Sequence, residues 1–308
     1  MMIGMVAKMV FIRRKYKSYL YVASIICISI IVCINYIILL NNSIVIRVST
    51  TYSLEQIGVL KLLINDFLNK TGLNVRFEVL ARGSGEALRL LADGSTCIAF
   101  THAPVLEAQY IKQSKIKQLA VFAYNEFVIV GPVKDPANIT KAVNAIEAFK
   151  RIYIAGEEGK ALFVSRNDYS GTHTKEIQLW NLTGLNPYDR QWYLKTGQGM
   201  IQTLIVADNI NAYTLSDIGT YFILNNSGKL QNIAILKKDL QNLINLYSIY
   251  FSNSEFCIYV RDIAEQLANY IMKEGQDFIE TKFKGLINPV KGHENEFLMI
   301  WNSLADAK

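Results

Sequence analysis

Ser165-Arg166-Asn167-Asp168-Tyr169-Ser170-Gly171-Thr172 places a guanidinium, small hydroxyls and a glycine where a helical pattern begins. Such a start has two uses. The orphan N–H groups of a first helical turn donate to Ser or Thr side-chain oxygens, which is ordinary capping. The same N–H groups, at the positive end of the helix dipole, also form a socket for an oxyanion. Gly171 lets the backbone approach such a ligand closely, Ser170 and Thr172 add donors, and Arg166 offers a fork-shaped charged contact. For this stretch alone, both uses stay open.

Other stretches have the same chemistry. Thr50-Thr51-Tyr52-Ser53 puts three small hydroxyls after an apolar run. Ser53 is the expected cap of a helix from Glu55, but one cap does not need three hydroxyls. Gly83-Ser84-Gly85 reads as a turn feeding a helix or as a second donor loop. His102, in Thr101-His102-Ala103-Pro104, could donate one hydrogen bond when neutral. Gly197-Gln198-Gly199-Met200 is either another donor turn or a plain helix start. The three histidines are scattered and no Cys/His cluster has ligand spacing, so a zinc site is not expected. No G-x-S-x-G, H-E-x-x-H or P-loop pattern is present, and no enzymatic activity is expected.

Alternating elements must position these loops. Ile44–Val48 reads as a strand, Glu55–Lys70 as a helix, Asn74–Leu80 as a strand, Glu86–Ala92 as a helix and Thr96–Phe100 as a strand. This βαβαβ order implies a parallel sheet whose strand carboxyl ends carry the ligand loops. After Phe127–Val130 and Gly131-Pro132 a second unit follows. It has helices near Ile139–Phe149, after Ser170, at Met200–Ala207 and from Leu215 or Asp217, with a strand at Leu162–Ser165. Tyr247–Phe251 and Glu255–Val260 read as strands before a helix at Asp262–Ile271. The expected fold is therefore α/β with two lobes and a ligand cleft between them. One lobe spans residues 44–129 plus 247–308, and the other spans 130–246.

The chain has 308 residues, 51% of them hydrophobic, and a formal net charge of +6. Lys8, Arg13, Arg14, Lys15 and Lys17 carry five of those charges within residues 1–18, so the rest is near +1 and no nucleic-acid surface is expected. This basic tail, expected on the cytoplasmic side, precedes Tyr19–Leu40, which is uncharged throughout. That length and flank predict a transmembrane anchor, with a cleaved secretory signal as the competing reading. In both, everything after residue 41 lies outside the cytoplasm. Cys97 and Cys257 fall in that exported part, inside expected strands, either as a disulfide or as buried thiols.

Read in order, these motifs resemble the tungstate-binding proteins of ABC importers, in the periplasmic-binding-protein class. The resemblance rests on Thr50-Thr51-x-Ser53, Gly83-Ser84-Gly85-x-Ala87-Leu88, His102-Ala103-Pro104, residues 125–132, and Phe163-Val164-Ser165-Arg166-x-Asp168-x-Ser170-Gly171-Thr172-His173. Trp192-Tyr193-Leu194, Gly197-Gln198-Gly199-Met200 and Ala212-Tyr213-Thr214-Leu215 extend it to about residues 46–260. It implies two lobes closing on a bare tetrahedral oxyanion, tungstate or molybdate, with no cofactor. Thr50, Thr51, Ser53, Ser84, Arg166, Ser170, Gly171 and Thr172 are the implied ligand set. Gly83, Gly85, His102, Asp168 and Gln198 are further candidates. The implied partners are an ABC permease and its ATPase, and a monomer is expected. Tyr52 stands where the family has Thr, adding bulk and a longer donor near the site.

Arg-x-Asp-x-Ser-Gly-Thr also resembles the phosphate-binding proteins, where an Asp accepts the ligand's proton. The orientation of Asp168 separates the two: toward the ligand it favours phosphate, toward Arg166 it favours tungstate or molybdate. A third reading is an anchored sensor ectodomain, which the short tail of residues 1–18 disfavours.

Overall fold

The computed structural model describes Tyr21, residues 24–34 and residues 44–306. Residues 24–34 are helical and solvent-exposed. Among the described residues no helix is long and apolar enough to cross a membrane. The basic tail and both ends of the expected span at 19–40 lie outside the described residues, apart from Tyr21.

Alternation of apolar residues builds the first half of the main sheet. β1 (Ile44–Thr51) lies parallel to β3 (Ile98–Thr101), with Thr50 opposite Phe100, so both strands end on the same edge. β2 (Val75–Arg82) flanks β1 at the end of the strand order. The helices between these strands are α1 (Tyr52–Ile57), α2 (Val59–Thr71) and α3 (Ser84–Ala92). The single helix expected over Glu55–Lys70 is thus two. Gly58 breaks it at φ 78°, a left-handed conformation that ends α1 and starts α2. In α2, Val59, Leu60, Leu63, Ile64 and Phe67 are buried at helical spacing.

α4 (Pro104–Lys112) leads to β4 (Ile116–Pro132), which serves two half-sheets. Its residues up to Glu126 pair antiparallel with β9 (Ile244–Ser252), and β9 in turn pairs with β3. From Phe127 onward β4 pairs with β7 (Thr214–Asp217) and β8 (Ile233–Lys237). One continuous strand therefore carries the chain into the second lobe. The four-residue helix α9 (Leu240–Leu243) and β9 bring it back. The change of partner falls a few residues before the lobe borders expected at 129 and 246. β9 is buried along its whole length, as a strand covered on both faces must be.

Within the second lobe, β4 feeds two cores in turn. Phe127 and Ile129 join a cluster with Phe149, Phe163, Trp180 and Trp192, while Val128 and Val130 join Met200, Leu204 and Tyr221. The helices covering it are α5 (Ala145–Glu157), α6 (Gly171–Thr183), α7 (Met200–Asn209) and α8 (Ile218–Asn226). The short parallel pair β5 (Phe163–Ser165) and β6 (Tyr193–Lys195) bridges to this half through Phe163 and Tyr213. Leu215, expected as a possible helix start, belongs to β7, because Asp217 caps α8.

The chain closes with α10 (Arg261–Met272), α11 (Glu274–Lys282), the short β10 (Asn288–Pro289) and α12 (Glu294–Ala305). Glu255–Val260 is a 3-10 helix, not the strand its alternation suggested. Ser254 caps it, and Cys257 within it forms a disulfide with Cys97, just ahead of β3. Within this segment Cys257 and Val260 are buried, while Phe256 and Ile258 face solvent.

Candidate functional site

Thr50 and Thr51 are the last residues of β1, and both are buried. Thr51, not Ser53, caps α1: its Oγ1 accepts the Leu54 N–H at 3.5 Å. The helix starts three residues earlier than the apolar spacing predicted, and the cap moves with it. Thr51 and Ser53 share a hydrogen bond of 3.1 Å, and Ser53 Oγ lies 3.3 Å from His102 Nε2. Ser49 points away from Thr50, to the Ala87 carbonyl and Thr96, as alternation in a strand requires. Tyr52 is 40% exposed, so part of the bulk expected near the ligand faces solvent.

Gly83 caps α3 with no side-chain bond, which leaves first-turn N–H groups without a side-chain acceptor. Ser84 opens that helix, fully buried. Its Oγ and Thr50 Oγ1 are two of three buried side-chain polar atoms with no partner among the described residues; the third is His173 Nε2. A buried unpaired hydroxyl costs about 1–3 kcal/mol, so one such group at the end of β1 and another at the start of α3 point to ligand donors.

The second lobe supplies the facing half. Ser170 caps α6, accepting the His173 N–H at 3.3 Å, and leaves the Gly171 and Thr172 N–H groups at the open end. Between β5 and this cap the chain curls tightly, with Asn167 at φ 49° and Tyr169 at φ 54°. The curl turns Asp168 back. Asp168 Oδ2 accepts from Arg166 Nε at 3.1 Å and Nη2 at 2.5 Å, and Oδ1 accepts the Ser170 N–H at 3.1 Å. Arg166, itself buried, also donates from Nη1 to Thr172 Oγ1 at 3.5 Å. Asp217 is the other buried carboxyl near this guanidinium. Burial pushes it up, its bonds from the Thr220 N–H and hydroxyl oppose that, and Arg166 opposes it further.

The lobes touch at these loops. A methyl group at Gly83 would sit 3.7 Å from Ser170 Cα, and one at Gly85 3.3 Å from the Tyr169 carbonyl. At Gly171 it would fall 2.7 Å from His102 Cε1 and 2.9 Å from the His102 carbonyl, so only glycine allows this approach. α1 meets α8 beside them, where Thr220 Oγ1 lies 3.3 Å from Gln56 Oε1. The eight residues of the implied set thus lie on loops that meet, with His102 and Gly83 at the contact. Gln198 does not join them. It is exposed, and only its backbone engages the neighbouring loop, through Thr196 and Thr203.

Each lobe braces its loop with one buried carboxyl, which the sequence reading missed. Glu107 of α4 accepts from Thr101, the Ala103 N–H, Tyr250 and Trp301. Glu176 of α6 accepts from Ser165, Tyr193 and Trp180. In both, a helix returns a carboxyl to the hydroxyl that ends the preceding strand. Burial raises both groups, Glu176 to about 7, against the pull of their donors. Glu107 follows Thr101 by six residues and Glu176 follows Ser165 by eleven, a cue that becomes visible only once both helices are placed.

His102 sits behind Ser53, in a buried chain that sequence could not reveal. Its Nδ1 lies 2.8 Å from Asn245 Oδ1, Asn245 Nδ2 donates to Asn125 Oδ1 at 2.8 Å, and Asn125 Nδ2 donates to the Leu286 carbonyl at 3.0 Å. Burial, with Arg166 adding to it, lowers the imidazole to about 4 against the support of Asn245, so it is neutral at neutral pH. Among the described residues no group of His, Cys, Asp and Glu is arranged to hold a metal cation.

The PBP superfamily domain matches residues 41–279. A tungstate-binding protein of Peptoclostridium acidaminophilum is 34% identical over 204 residues, 66% of this chain and 68% of that protein. The solved structure of a tungstate ABC transporter protein from Geobacter sulfurreducens is 37% identical, with a TM-score of 0.62 over 79% of this chain and 96% of that one. A tungstate-binding protein from Desulfovibrio alaskensis G20 is 32% identical, with a TM-score of 0.67 over 80% of this chain and 99% of its own.

Proposed function

The chain belongs to the periplasmic-binding-protein superfamily, and we propose that it captures tungstate outside the cytoplasm and delivers it to an ABC importer. The observation that carries the choice of ligand is the orientation of Asp168. Its two oxygens are engaged by Arg166 and the Ser170 N–H, and Asp217 is engaged by Thr220. Asp168 is thereby turned to Arg166, the orientation that favours tungstate or molybdate over phosphate. A site whose carboxyls are turned to partners within the protein suits a fully deprotonated tetrahedral dianion and disfavours hydrogen phosphate, which brings a proton that needs an acceptor.

In this reading Thr50, Thr51, Ser53 and Ser84 line the anion from the first lobe, and Arg166, Ser170, Thr172 and the Gly171 N–H do so from the second. Asp168 orients the guanidinium, and the hydroxyls and N–H groups set the tetrahedral geometry. Molybdate shares the charge and shape of tungstate and is the second ligand. No chemistry is done on the anion and no cofactor takes part. The protein works as a monomer, held at the membrane by residues 19–40, and its closed lobes dock on the permease with its ATPase.

Calorimetric titration with tungstate, molybdate, sulfate and phosphate tests this, with Arg166→Ala alongside. The expected result is tight tungstate binding, none of phosphate, and loss of at least a hundredfold in the variant, as for a charged group removed from a buried anion contact. Phosphate binding in preference to tungstate would overturn it.

A further inference from the structure

The buried chain behind the site has a direction. The Leu286 carbonyl can only accept, so Asn125 presents its amide nitrogen there and its oxygen to Asn245. Asn245 then turns its own oxygen to His102, whose Nδ1 must carry the proton. His102 Nε2 is left as an acceptor, and Ser53 Oγ at 3.3 Å is the hydroxyl that fills it. Ser53 has one proton, so its bond with Thr51 is made by the Thr51 hydroxyl donating. Every link donates toward Leu286. Two of the hydroxyls assigned to the ligand therefore show it only lone pairs, whereas Thr50 and Ser84 have uncommitted protons.

We propose that an oxyanion binding at this site draws one proton from solvent onto His102 Nε2. The inference rests on the oxyanion reading above and deepens it. The step balances simply. Nε2 gains a proton and donates to Ser53 Oγ, and the Ser53 O–H bond rotates to the anion without breaking. The Asn125–Asn245 arrangement is unchanged, because Nδ1 keeps its proton. Charge argues the same way. Arg166 is already paired with Asp168, so a dianion meets little uncompensated positive charge from the loop side chains. A cationic His102 supplies it.

The surroundings of the imidazole permit this. Ser53 faces it from α1, Asn245 and the Tyr247 ring at 5.1 Å from β9, and the Phe127 ring at 6.1 Å from β4. Gly171 meets it from α6, and Lys175 of that helix lines the same small cavity. Glu107 holds the adjacent Ala103 N–H. Burial keeps His102 neutral, Arg166 adds to it, and the Arg166 charge is the part a bound dianion offsets.

The test is calorimetry of the detergent-solubilised full chain with micromolar tungstate at pH 6 and pH 8, in buffers of different ionisation enthalpy. The slope of heat against buffer enthalpy counts protons. We expect uptake approaching one proton at pH 6 and less at pH 8. Binding should be tighter at pH 6, by up to about tenfold per pH unit over the range where uptake is complete. His102→Gln, a neutral acceptor, should show zero slope and equal affinity at both pH values. Tungstate binding with zero slope in the wild type overturns this inference and leaves the tungstate reading standing. No heat with tungstate overturns both.

Discussion

At the scale of single residues, the informative groups are those whose hydrogen bonding is incomplete or turned inward. Thr50 Oγ1 and Ser84 Oγ are buried with no partner among the described residues, and a fold bears that cost only for a use. Thr50→Val keeps the shape and removes the penalty. Thermal melts without ligand should show equal or higher stability, by about 1 kcal/mol, while calorimetry shows tungstate affinity down roughly ten- to a hundredfold. A variant that melts earlier and binds unchanged would make Thr50 structural. Asp168 is the converse case. Its oxygens are engaged within the loop, so Asp168→Asn should weaken tungstate binding by loosening Arg166, without admitting phosphate. Competition of phosphate against radiolabelled tungstate checks that.

At the scale of elements, β4 and the helix starts decide function. β4 and β9 run between the lobes, and α6 starts where Gly171 meets the His102 loop. Gly171→Ala puts a carbon into the His102 ring and carbonyl, an approach side-chain motion alone does not relieve. It should leave each lobe folded but block the closed contact. Small-angle scattering with saturating tungstate would then show no compaction, and affinity would fall more than tenfold. Compaction equal to wild type would refute the contact. The 3-10 helix Glu255–Val260 depends on a cross-link instead. Cys97→Ala with Cys257→Ala should lower stability by about 2–4 kcal/mol in denaturant titration and leave tungstate affinity intact in the native state.

At the scale of the whole molecule, buried titrating groups give pH dependences of opposite sign. Glu176 is raised from its ordinary value to about 7, so the folded chain holds a proton that the unfolded chain has lost between pH 4.5 and 7. Its contribution to stability is full below pH 4.5 and is lost as pH rises through 7, to a total of roughly 3 kcal/mol. His102, lowered to about 4, works in reverse: its contribution is full above pH 6.5 and fades as pH falls toward 4. Removing Glu176 by Glu176→Gln should therefore make the melting temperature climb more steeply from pH 5 to pH 7.5 than in wild type. His102→Gln should flatten that climb. Parallel melting curves for all three proteins would contradict both assignments.

The sequence alone determined what depends on neighbours within a few residues. Alternation gave the strands, hydroxyls and glycines marked the starts of α3 and α6, and the order of elements gave the two α/β lobes, because backbone geometry is set locally. Its errors were local signals that distant contacts overrode. Glu255–Val260 alternates like a strand, yet it is a 3-10 helix capped by Ser254 and tied to Cys97, 160 residues away. Gln198 lies in a glycine turn like the donors, yet it is exposed. Only the tertiary structure decided which way Asp168 faces, which hydroxyls are free, and where the His102 proton sits. The last of these depends on pairings such as His102 with Asn245 and Asn245 with Asn125, which are 143 and 120 residues apart. Hydrogen-bond direction is set by the far end of such a chain, here a carbonyl that can only accept, and no local pattern encodes it.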